Sequence, residues 1–455
     1  MYKGGARLGP EFASKLGHLE VLESQHVNKL LEAFDKTVDY SDMQDKTIWS
    51  RLSLPPDPLP YVFAVDGSIS TVSNSTLPRQ EVSFVKTALF FCNEKELSKI
   101  DPQNPHPLQL KKIMANSATH HATVFPLKNV RIKGENVYNS VRKIIFESFQ
   151  DPSLQGLIYE TYKWLLYREW DPAGPKNSLL FDCPHLDCSQ RIKTGMPPGS
   201  DTWMCPHCGG DLYCTDVLGF HQEMSEDTAP EALSQSYMLI HEMLSIFSAI
   251  RYFWLNNKPM LGQSLFIKDG PLSLRSQYSK LVPSIRDFMS YAFSEGYPIY
   301  LIGQEKTGTF RDHLSTIERF APPLPSSEPI PYQSTKKEAL SYSVLTHHYV
   351  RNEVQRMPSR ENEYGLRTNY GEKVYVKVDP YTSLVLNIPT TGFREDDQFP
   401  SEVEIIGLSR ILQAIPSLVS PKHEGALTPI VLANGIASLS NYPSANVLRM
   451  FAGLG

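Results

Sequence analysis

Three acidic residues stand in apolar surroundings, where an ionised carboxylate is costly unless it is paired or bound to a metal. Asp66 follows the run YVFAV and precedes Gly67 and Ser68, Asp269 closes SLFIK before Gly270, and Glu242 lies inside MLIHEMLSIF. Polar groups at strand ends project into the crevice where open α/β sheets bind ligands. Two such aspartates can hold Mg²⁺ or Mn²⁺, which prefer oxygen ligands, and a third acid, for which Glu242 is the candidate, would be needed to hold a pair of metals. Lys306, just past the apolar run IYLIG, stands near the same sheet edge and can neutralise a phosphate. Each residue also has a plainer reading. Asp-Gly is a turn signal, Glu242 can be a helix residue at a partly exposed edge, and Lys306 can be a solvated loop lysine.

Five of the six cysteines fall between positions 183 and 214. Cys183 and Cys188 bracket four residues, sixteen more intervene, and Cys205 and Cys208 bracket two. CPHLDC and CPHCGG each read as a knuckle in which two thiolates reach one tetrahedral Zn²⁺, with glycines that let backbone amides turn toward sulfur. Four protein ligands leave no open position, so the site is expected to be structural. Cys214 reads as a spare, Cys92 in TALFFC as a core residue, and His185, His207 and His221 as possible replacement ligands.

The elements that must position these groups follow from periodicity. Helical spacing predicts helices over 14–37, within 135–170, over the long stretch EALSQSYMLIHEMLSIFSAIRYFWLN, over 276–296 ending at Gly296, and at 402–415 and 427–440. YVFAVDGS, EVSFVKTALFFC, SLFIKDG and PIYLIGQEKTG read as strands, and KVYVKVDPYTSLVLNIP as a hairpin. The expected order is an α/β arrangement with a mixed sheet. The expected parts are a helical region over 1–59, a first domain part over 60–182, the cysteine insertion over 183–215, and the remainder over 216–455.

Composition is ordinary for a globular protein of 455 residues: 41% hydrophobic and 20% charged, with a net charge of -5. That charge gives no general pull toward nucleic acid, so a DNA site would need a local basic groove. The densest basic stretch comprises Lys111, Lys112, Arg131, Lys133, Arg142 and Lys143. No apolar run reaches the length of a membrane span and no signal peptide is recognisable, so a cytoplasmic location is expected. No GxxxxGK[ST] loop occurs, so ATP hydrolysis would have to come from a partner.

AVDGS at 64–68, IHEML around Glu242, FIKDGPL at 266–272 and LIGQEKTGTF at 301–310, in that order, resemble the NurA nuclease family. CGGDLYCTDVLGFHQE resembles bacterial members with an internal zinc ribbon. The resemblance spans roughly residues 60–440. It implies an RNase H-like mixed sheet flanked by helices with an inserted zinc ribbon, and DNA cleavage by two-metal hydrolysis. Asp66, Glu242 and Asp269 would be the Mn²⁺ or Mg²⁺ ligands, with Lys306 in the catalytic set. Cys183, Cys188, Cys205 and Cys208 would hold structural Zn²⁺. A homodimer docked on a hexameric HerA-like ATPase is implied, in DNA end processing or defence against foreign DNA. Glu305, beside Lys306, is the competitor to Glu242. Family members tend to carry a histidine in a helix near the C-terminus; Asn434 stands there in this chain, and His423 is the nearest substitute. That departure favours an alternative, an RNase H-like scaffold that binds and regulates the ATPase. A zinc-ribbon RNA-binding protein fits less well, because acidic residues (Asp182, Asp187, Asp201, Asp211, Asp216) surround the cysteines.

Overall fold

A computed structural model describes residues 21, 24–33, 49–53, 55, 57–93, 95, 118–322, 340–356, 364–420, 422–439 and 444–454. The chain divides into two compact units, residues 1–47 and 48–455. In the first, helix α1 (Gln25–Ala33) is described and buries none of its residues. The rest of the helix expected over 14–37 lies outside the described residues, apart from positions 21 and 24.

The second unit is built on a nine-stranded mixed sheet. Its strands are β1 (Ser50–Leu52), β2 (Tyr61–Ser73), β3 (Glu81–Asn93), β4 (Ala118–Lys128), β9 (Ser264–Asp269), β10 (Leu301–Glu305), β11 (Leu340–Val344), β12 (Glu372–Asp379) and β13 (Thr382–Ile388). Two short ribbons, β5 (Phe181–Asp182) with β6 (Arg191–Ile192) and β7 (Thr202–Met204) with β8 (Asp211–Tyr213), carry the cysteine segment. The spatial order is β1-β11-β12-β13-β10-β9-β2-β3-β4. β2, β3 and β4 form an antiparallel meander, and β9 and β10 add on the other side of β2 in parallel.

Alternation along the strands sorts side chains to two faces. Phe63, Val65 and Phe266 pack with helices α2 (Val137–Phe149), α3 (Leu157–Leu166), α4 (Glu231–Asn256) and α5 (Val282–Ser294) in the larger core. After α6 (Thr309–Ile317), the chain supplies α7 (Leu408–Ala414) and α8 (Thr428–Ala437), which cover the opposite face. There Val62, Ala64, Leu265, Ile267 and Ile302 meet Ile411, Leu412, Ile430 and Ala433. A final helix, α9 (Ser444–Phe451), places Leu448 against Val72 and Val82. The sheet is thus sandwiched between helical layers, and β2 and β9 are buried on both faces, which explains their continuous apolar runs. Among the described residues, no helix is long and apolar enough to cross a membrane.

Two expectations change. Asp66 does not end its strand, and Asp66-Gly67 is not a turn: β2 runs on to Ser73, with Asp66 opposite Ala88 and Gly67 opposite Thr87. What ends there is the pairing with β9, whose last partner on β2 is Val65. Asp66 therefore lies where the sheet parts. Asp269-Gly270, by contrast, is a true strand end, with Gly270 at φ +78°. Arg142, read as part of a basic groove, is buried. Its guanidinium grips both oxygens of Asp216 (Nε–Oδ1 2.9 Å, Nη2–Oδ2 2.8 Å), tying α2 to the end of the cysteine segment. Arg131 and Lys133 are exposed, Lys143 is half-buried, and Lys111 and Lys112 lie outside the described residues.

Candidate active site

Parity along β2 sends Asp66 toward α8 and Gly67 toward α4. Gly67 is required there, because a Cβ would lie 2.5 Å from Met238 Cγ and 2.6 Å from Glu242 Oε1. The missing side chain lets α4 approach the sheet and brings Glu242 against the strand beside Asp66. Gly303 on β10 does the same for the chain after Asp269: its Cβ would stand 2.7 Å from the Gly270 carbonyl oxygen. These two glycines fix the separation between helix, loop and sheet around the acids.

Asp66 is 4% exposed. Its Oδ1 accepts the Gly67 N–H at 2.7 Å, while Oδ2 is buried and, among the described residues, has no hydrogen bond of good geometry. Burial, reinforced by the charge of Asp269, pushes its pKa up to about 6, against the opposing pull of the Asn434 side chain, the Gly67 N–H and Lys306. Asn434 thus stands beside the carboxylate, on α8. His423 lies in the loop before that helix, its N–H bonded to Ser420 Oγ.

Glu242 is 2% exposed, and burial pushes its pKa up to about 7, with Asp66 and Asp269 adding to the rise and Lys268 opposing it. Its Oε2 lies 2.7 Å from Lys268 Nζ, an ionic contact without hydrogen-bond alignment. Lys268 Nζ donates to the Asp269 carbonyl oxygen at 2.7 Å. On the open side of the site, Lys306 Nζ lies 2.7 Å from Asp269 Oδ1, with both side chains about one-third exposed (32% and 28%). Glu305 belongs elsewhere: it binds Lys373 and accepts from Asn387 Nδ2 at 2.7 Å.

The structure therefore brings Asp66, Glu242, Asp269 and Lys306 into one neighbourhood, but the acids do not close on a common point. Among the described residues, the four cysteines form the one group of three or more metal-ligating side chains whose ligand atoms all lie within 4.8 Å. A hard divalent cation fits the aspartates: Asp66 has an unpartnered oxygen, and the two charges repel each other. Glu242 fits less well, because its charge is already matched by Lys268. Lys268 is not among the residues the sequence singles out. The signal was present, since a lysine in a doubly buried strand needs a partner for the same reason as a glutamate in a buried helix. Tyr370, buried with a hydroxyl that has no hydrogen-bond partner among the described residues and within electrostatic reach of Glu242, carries no sequence signal of its own.

The cysteines meet as their spacing requires. Cys183 Sγ lies 3.9 Å from Cys208 Sγ, and Cys188 Sγ lies 3.9 Å from Cys205 Sγ. Burial opposes ionisation of Cys205, yet the backbone N–H groups of Cys208 and His207 bring its pKa down to about 7. Four thiols so arranged can bind a structural metal such as zinc. Cys214 is outside the cluster and packs against the Tyr159 hydroxyl (3.5 Å). His185 bonds the Asp211 carbonyl oxygen (3.0 Å). No protein-family model matches the chain, and no curated protein matches it significantly.

Proposed function

We propose that the chain is a NurA-like, metal-dependent DNA nuclease that hydrolyses phosphodiester bonds at the Asp66–Asp269 site. The observation that supports it most is a buried Asp66 oxygen with no hydrogen-bond partner among the described residues, within electrostatic reach of Asp269 at the point where β2 and β9 part. The strand order supports an RNase H-like reading: a three-strand meander with two parallel strands on its first strand, and acids on β2, on β9 and on the intervening helix. A bound Mn²⁺ or Mg²⁺ would supply Lewis-acid stabilisation at phosphorus and a more acidic attacking water. Asp66 and Asp269 would hold it, and Asn434 can add a neutral oxygen. Lys306, the most exposed cation of the group, would neutralise a non-bridging phosphate oxygen. Glu242 and Lys268 would brace the site from below the sheet.

In this reading the four cysteines hold structural Zn²⁺ in a ribbon, and a homodimer works with a HerA-like hexameric ATPase on DNA. The alternative, a scaffold that regulates such an ATPase without cutting, is favoured by one observation: both Glu242 and Asp269 already have lysine partners. The discriminating experiment is cleavage of linear DNA with Mn²⁺ by the wild type, Asp66→Asn and Asp269→Asn, each alone and with the ATPase. Cutting that both variants lose supports the nuclease. Folded wild type that never cuts supports the scaffold.

A further inference from the structure

Resting on the nuclease reading, we infer that the site takes one divalent cation, and that the Lys268 ammonium occupies the place a second ion would take. Two-metal sites bridge ions about 3.5–4 Å apart with shared carboxylates. A second ion here would need Glu242, the remaining acid of the set. Glu242 is held by Lys268 at 2.7 Å, and both side chains are almost inaccessible (3% and 1%). The same ammonium donates to the carbonyl oxygen of Asp269. It therefore bridges the helix acid, which a second ion would need, and the backbone of the strand acid.

The surroundings fix it there. Lys268 lies on β9 between Ile267 and Asp269 and points to the α4 face, where Phe266, Leu272 and Met243 are buried core residues. Moving the ammonium aside to admit a second ion would strand it among apolar groups. Glu242 is equally confined, with Oε1 in the space left by the absent Gly67 side chain. The other charge beside the acids, Lys306, is partly exposed and, among the described residues, forms its ion pair with Asp269. It can turn to solvent or substrate, which leaves the Asp66–Asp269 position open to one ion.

The test is Mn²⁺ titration of zinc-loaded protein, followed by the electron paramagnetic resonance of free Mn²⁺. Site ions are defined as those lost in Asp66→Asn. The comparison is the double variant Glu242→Gln/Lys268→Met, which replaces the buried pair with uncharged side chains of similar size. One ion per chain is expected in both proteins, with affinities within about threefold of each other, or less than about 1 kcal/mol. Two ions in the wild type, or loss of the single ion in the folded double variant, would overturn the one-ion assignment while leaving the nuclease reading standing. No ion in the wild type would remove both. If the double variant does not fold, wild-type stoichiometry decides alone.

Discussion

Replacing Asp66 by Asn should make the metal-free protein more stable at alkaline pH. The carboxyl is 4% exposed, and its pKa rises from an ordinary 3.8 to about 6 through burial and the charge of Asp269. A carboxyl whose folded-state pKa is raised contributes stability below its unfolded pKa, and that contribution is lost as pH climbs through the folded value. The wild type therefore loses stability between about pH 4 and pH 6 and stays lower above that. A pKa rise of that size corresponds to roughly 3 kcal/mol. The unit that unfolds spans residues 48–455. At about 2.1 cal/mol/K per residue its unfolding entropy is about 0.9 kcal/mol/K, so 3 kcal/mol corresponds to about 3–4 °C in Tm. Thermal unfolding followed by circular dichroism should show Asp66→Asn melting about 3–4 °C above wild type at pH 8, with the two converging toward pH 4. Adding Mn²⁺ should raise the wild-type Tm and leave the variant unmoved. A variant that melts with or below the wild type at pH 8 would refute the argument that Asp66 is an electrostatically strained carboxylate.

Gly67→Ala should cost about 1–3 kcal/mol, because its Cβ would collide with Met238 and Glu242, and chemical denaturation would measure it. Arg142→Met should destabilise by about 3–5 kcal/mol by stranding Asp216, whereas Lys143→Met should change stability by less than about 0.5 kcal/mol; comparable effects would contradict the buried-pair assignment. Removing metal from the cysteine cluster with a strong chelator should lower the Tm and raise hydrogen exchange over residues 181–213, because these short ribbons contain little regular structure of their own.

Much of this architecture is legible in the sequence where one physical signal dominates. The 3.6-residue periodicity of Glu231–Asn256 and the apolar alternation of β12 and β13 leave little choice of element, and the cysteine spacing fixes a cluster. The continuation of β2 is less readable because Asp-Gly is a local turn signal that thirteen cross-strand partners on β3 override. β4 is hard to read: ATHHATVFPLK contains a proline, which an edge strand tolerates and a central strand does not. Asp66 and Asp269 announced themselves as acids closing apolar runs. Lys268 did not, since its meaning depends on Glu242, which is remote in sequence and adjacent only after folding. The closeness of Asn434 to Asp66 likewise requires α8 to cross β2, and no local pattern encodes that.

The central claim is that Asp66 and Asp269 share a divalent cation. Its most direct test is an anomalous-difference map, collected at the manganese edge, from crystals of zinc-loaded protein soaked in Mn²⁺. The account predicts a single manganese peak within coordination distance of both carboxylates, with the Glu242–Lys268 pair intact beneath it. A fully occupied lattice of Mn²⁺ elsewhere with no density between these aspartates would contradict it.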